Sequence, residues 1–228
     1  MAQTGAREQI ERRLDRFLRR FAYVRRDNIE TFARRFAELV KAGNPPRDPR
    51  SLLPRAGIAV ERGMLAPPLR ARWERRGEGY VITVSEHEQP QAQSFAAWRE
   101  AFRLLAARPA FPTALTQVGL ERLANKFATA ILMPAEAVIA EARRFSTNPE
   151  ALVEVLGARF GASLTAMRKR LYELEILRPR SRTIHLPAEA QTGKSRARGQ
   201  DSCYSAKLRF RPSAFAGDIV PLRRTKAS

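Results

Sequence analysis

The chain has 228 residues, 44% of them hydrophobic and 29% charged, enough for one large domain or two small ones with a packed core. A single cysteine, Cys203, excludes an intrachain disulfide and a cysteine-rich zinc module; the absence of a long apolar run or an apolar leader excludes a membrane helix and a secretory signal, so a cytoplasmic protein is expected. Basic residues outnumber acidic ones by 42 to 23, and the net charge of +19 suits a polyanion, either nucleic acid or an acidic protein surface.

Residues 1–46 read as a pair of helices. Ile10, Leu14, Phe17, Leu18 and Phe21 form one apolar stripe, and Ile29, Phe32, Phe36, Leu39 and Val40 form another. Asp27 and Glu30 have the spacing of a capping box, Gly43 marks a stop, and the proline-rich residues 44–49 read as a stiff linker. Arg12, Arg13, Arg16, Arg19 and Arg20 crowd the outward side of the first helix, where they either touch phosphate or pair with carboxylates.

The pattern then changes to period two. Residues 57–60 make a short strand, and 69–73 and 80–84 alternate around Gly77-Glu78-Gly79, which predicts a β-hairpin. His87 lies in the loop that follows, with no second histidine beside it, and reads as an exposed residue rather than a metal ligand.

Two helices next appear built to face each other across a pocket. The first carries Phe95, Trp98, Ala101, Phe102 and Leu105 at helical spacing, with Arg99, Glu100 and Arg103 as a polar stripe. The second buries Leu120, Leu123, Ala124, Phe127 and Ile131, sets Glu121 and Asn125 one turn apart beside that face, and stops at Met133-Pro134. On spacing alone, Arg99, Glu100 and Arg103 read as a solvated helix face.

The run from Glu121 through Ala124, Asn125, Phe127, Ala128, Leu132 and Met133 to Pro134 resembles the E-x-x-A-N-x-F-A-x-x-L-L-M-P segment of the ImmA/IrrE family of metallopeptidase-like regulators. The family's preceding helix carries F-T-L-A-H-E-x-x-H, and the matching stretch here runs from Phe95 to Arg103, with arginine at both histidine positions and Glu100 retained. The resemblance implies Arg99, Arg103 and Glu121 as remnants of zinc-ligand positions and Glu100 as the remnant general base. In the intact pattern, two histidines one turn apart share the ion, a third ligand comes from another helix, and the glutamate activates bound water. Arginine keeps its proton and offers no lone pair, so a filled, salt-bridged remnant without zinc or another cofactor is expected. The resemblance, over roughly residues 50–178, implies an α+β, mostly helical, minimal zincin-like fold with a small antiparallel or mixed sheet. By analogy at the level of the fold, the sheet edge of such a protein aligns a peptide by strand addition.

After Pro134, placed to open a helix at its first position, residues 135–145 read as helical. Asn148-Pro149-Glu150 starts a further helix that stops at Gly161, and Ser163 caps another with Leu164, Met167, Leu171 and Leu174. Residues 158–171 look like a helix-turn-helix, in which Thr165 and Arg168 would face base edges and Lys169 and Arg170 would lie near phosphate; alternatively these helices only close the core. Residues 178–228 hold twelve Lys and Arg against Glu189, Asp201 and Asp218, and supply +9 of the +19. The reading is a basic, partly disordered tail over 179–228, with one short strand over 204–210.

The expected organisation is therefore an N-terminal helical pair (1–46), a zincin-like domain with a degenerate site (50–145), a helix-turn-helix-like part (146–178) and the tail. The expected function is a non-catalytic regulator that binds a protein partner such as a helix-turn-helix repressor, with no membrane partner. Two alternatives stand beside it: a DNA- or RNA-binding protein using its basic surface, and a zinc-dependent endopeptidase with unconventional ligands.

Overall fold

Phe32 and Phe36 lie four residues apart, so they share one helical face, and that face meets Phe127 at ring-centroid distances of 5.8 and 5.6 Å. Around this contact the computed structural model describes residues 2–77, 79–145 and 148–177. The basic tail, the short strand expected within it and Cys203 lie outside the described residues.

The element order is α1 (Ala2–Leu18), α2 (Ile29–Leu39), α3 (Pro49–Leu52) running into a 3₁₀ turn (Leu53–Ala56), then β1 (Ile58–Gly63), β2 (Ala71–Arg76) and β3 (Gly79–Ser85). There follow α4 (Pro90–Ala106), α5 (Gln117–Leu132), α6 (Ala135–Ala142), α7 (Pro149–Phe160) and α8 (Leu164–Glu173). This is the α+β, mostly helical zincin-like arrangement. The sheet is mixed, in the order β1-β3-β2: β1 runs parallel to β3 with Ile58 opposite Tyr80, and β2 runs antiparallel with Trp73 opposite Ile82. As the central strand, β3 buries Val81 to Ser85 in succession, because both of its faces are covered.

Helix α5 is the hub, packed against α4 on one side and α2 on another. Phe127 also meets Phe102 of α4 at 5.3 Å, so residues from α2, α4 and α5 close a single aromatic cluster. The N-terminal helices thus share the main core, with Leu14, Phe17, Phe32 and Phe36 as deeply buried as Trp98 and Phe127. Residues 44–49, read from composition as a linker, are pinned to the core. The Arg47 guanidinium donates to the Ile131 carbonyl at 3.1 Å, and the Trp98 indole donates to the Arg47 carbonyl at 3.1 Å.

Several local details differ from the sequence reading. The Asp27–Glu30 capping box does not form: Asn28 occupies the cap position, its side chain accepts from the Arg25 amide at 2.9 Å, and Glu30 turns to Arg170 instead. Helix α2 ends at Leu39 rather than Gly43, with Lys41 left-handed at φ 52°. Arg55 makes that early stop favourable by donating to the carbonyls of Val40 and Lys41 at 3.2 and 2.8 Å. Pro134 is the cap of α6 rather than its first residue, and α6 ends at Ala142, short of Phe145. The caps at the next two helices form as the sequence predicts. Asn148 accepts from the Glu150 amide at 2.9 Å, Ser163 accepts from the Ala166 amide at 3.3 Å, and Gly161 ends α7 at φ 62°. Among the described residues, no single helix is long and apolar enough to cross a membrane.

Candidate functional site

The site is held by the ends of its two helices. Pro90 suits the first turn of α4, where an amide hydrogen would have no partner, and buried Gln93 ties that turn to the sheet. Its amide donates to the carbonyls of Ser85 and Glu88 at 3.0 and 2.9 Å and accepts from Arg50 at 3.1 Å. Thr116 caps α5 by accepting from the Gly119 amide at 3.2 Å, and α5 stops at Met133-Pro134. Helical spacing then places Arg99 and Arg103 one turn apart on α4, facing Glu121 on α5.

Four charges meet between these helices. Arg103 donates to Glu100 at 3.1 Å through one terminal nitrogen and approaches Glu121 at 3.4 Å through the other. Arg99 stands farther off, 3.9 Å from Glu100 and 4.0 Å from Glu121. Gln117, one turn before Glu121, donates to its carboxylate at 3.2 Å. The solvated-face alternative fails at Glu100, which is only 3% exposed. Desolvation raises the Glu100 carboxyl above its ordinary range, and the Arg103 charge beside it pulls the other way. The buried Arg99 Nε has no hydrogen-bond partner, so Arg99 is less completely satisfied than Arg103.

The donor set does not fit a zinc ion held as the intact family motif holds it. Two of the positions are guanidiniums, which cannot coordinate, and the two carboxylates left are already engaged by cations. Among the described residues, no group of three or more His, Cys, Asp or Glu is placed to hold a metal ion. His87 is exposed in its loop.

The four residues expected at a nucleic-acid surface are not equivalent. Thr165 and Lys169 are exposed. Arg168 is exposed and paired with Glu150. Arg170 departs from expectation: it is 4% exposed, donates to the Met133 carbonyl at 3.0 Å and pairs with Glu30 at 2.7 Å. It ties α8 to α2 and α5 and is not available to phosphate.

Sequence reasoning missed Gln117, whose i,i+4 spacing to Glu121 was the available signal. It also missed Arg108, 8% exposed, which donates to Asp15 at 2.6 Å and to the Tyr80 hydroxyl at 2.9 Å. These contacts join α1, β3 and the end of α4, and nothing local in sequence announces them.

The fold and the paired-helix site define a zincin-like domain. Residues 64–172 match the IrrE N-terminal-like domain, Peptidase_M78, so this stretch of the chain is similar to that family's domain. None of the curated proteins compared matches the chain. Among solved structures, the chain is similar to a Mycobacterium tuberculosis transcriptional regulator at 23% identity and a TM-score of 0.49, over 77% of this chain and 54% of that one. The chain thus spans about half the length of that regulator.

Proposed function

We propose that this protein is a non-catalytic regulator of metallopeptidase fold that works by binding a protein partner, such as a helix-turn-helix repressor. One observation carries the reading: arginine stands at both histidine positions of the family pattern, and the two guanidiniums lie against Glu100 and Glu121. A water-activating base needs a metal-bound water to act on and room to receive its proton. Glu100 is instead buried against Arg103, with its negative charge already matched. On this reading the domain acts by holding a partner rather than by cutting it.

The test is capture of partners from a lysate on the full-length chain at moderate salt, followed by incubation of the captured protein with added zinc. The proposal expects a partner that stays bound and intact. Zinc-dependent cleavage of that partner would overturn it. The nucleic-acid alternative uses Thr165 and Lys169, which are exposed, together with the basic tail, which lies outside the described residues.

A further inference from the structure

A cleft of about 810 Å³ opens between the α1–α2 connection, α5 and α8. None of Arg99, Glu100, Arg103 or Glu121 lines it. Its floor is apolar: Val24, Leu123 and Met133 are buried there, beside half-buried Leu115 and Phe95. Around that floor stand Arg122, Lys126 and Lys169, and none of the three has an ion pair or side-chain hydrogen bond to another described residue. The acid at the cleft, Glu173, is already matched by Arg170 at 3.6 Å.

These three like charges around one apolar floor repel each other and have no counter-charge among the described residues. They are complementary to a ligand with an anionic head and an apolar body. The volume lies within the roughly 300–1,000 Å³ usual for small-molecule sites. A single-stranded nucleic acid would call for aromatic faces to stack on, and among the described residues Phe95 is the sole aromatic one lining the cleft.

The geometry points to this cleft as a binding site for a small amphipathic organic phosphate, held by Arg122, Lys126 and Lys169 at its head and by Leu123 and Met133 along its body. Such a site would let a soluble metabolite bias the regulator, and it does not depend on whether the charge cluster between α4 and α5 is catalytic.

Calorimetric titration of the full-length chain with hexyl phosphate, inorganic phosphate and hexanol tests the assignment. Hexyl phosphate should bind one per chain and at least tenfold tighter than inorganic phosphate, since two buried methylenes are worth roughly tenfold. The triple variant Arg122→Ser, Lys126→Gln, Lys169→Gln should weaken it at least tenfold with the unfolding midpoint kept. Should the triple variant fold poorly, Lys169→Gln alone, at an exposed position, should still weaken binding several-fold.

Equal affinity for inorganic and hexyl phosphate would mean a mere ionic patch and overturn the assignment. Equal affinity for hexanol, or indifference to the charge substitutions, would do the same. So would charge-dependent binding confined to phosphatidylglycerol vesicles, an acidic peptide or a single-stranded oligonucleotide.

Discussion

Arg103 bridges two helices: one terminal nitrogen lies 3.1 Å from Glu100 on its own helix, and the other lies 3.4 Å from Glu121 on the facing one. The planar guanidinium suits this double contact in a way a lysine would not. Without that bridge, a carboxylate with 3% exposure would face α5 with only the more distant Arg99 for company.

Replacing the bridge should therefore be costly. Arg103→Leu is expected to lower stability by about 1–3 kcal/mol, because it leaves buried Glu100 without its hydrogen-bond donor. Arg99→Leu should cost less, its contacts being 3.9 and 4.0 Å long. Urea unfolding of both variants checks the order.

Glu100 should also leave a mark on the pH dependence of folding. Burial raises its carboxyl in the folded chain, so the folded state holds the proton more tightly than the unfolded one. Its stabilising contribution is then complete at low pH and is lost as pH rises from the unfolded value through the folded one. In urea melts between about pH 4 and pH 7, the wild type should lose stability relative to Glu100→Gln as pH rises. A difference that stays flat, or grows in favour of the wild type, would contradict the burial argument.

Arg170 and its neighbour Lys169 should behave oppositely. Arg170→Met removes a buried cation from Glu30 and from the Met133 carbonyl, and should cost about 3 kcal/mol. Lys169→Ala, on the exposed side of the same helix, should change stability by less than about 0.5 kcal/mol. Thermal or urea melts of the two single variants decide the matter.

The shared aromatic core predicts that the N-terminal helices cannot be removed. Phe32→Ala should cost about 3–5 kcal/mol, through the cavity left against Phe17, Phe102 and Phe127. A fragment comprising residues 50–177 should show no cooperative unfolding transition. A fragment that unfolded cooperatively would show that α2 merely decorates the domain.

These contrasts mark where the sequence was readable. The hairpin around Gly77, the caps at Asn148 and Ser163 and the stop at Met133-Pro134 follow from local chemistry, and each was legible. The pairing of Arg99 and Arg103 with Glu100 and Glu121 followed from helical spacing combined with a family motif. The rest depended on partners distant in sequence. Glu30 reads as a capping residue until Arg170, 140 positions away, offers a buried guanidinium. Arg47 sits in a stretch whose prolines suggest a linker, until the Ile131 carbonyl and the Trp98 indole fix it in place. Arg170 looked like a phosphate contact because periodicity distinguishes the faces of a helix but not which face a neighbouring element will cover.

The most direct test of the account is the zinc content of the purified full-length protein, measured by elemental analysis beside the double variant Arg99→His, Arg103→His. Well under one zinc per wild-type chain is expected, with uptake approaching one per chain in the double variant, where two imidazoles would join Glu121 on the facing helix. One zinc per wild-type chain, removed by changing Glu100 or Glu121, would show that these carboxylates hold a metal after all and contradict the account.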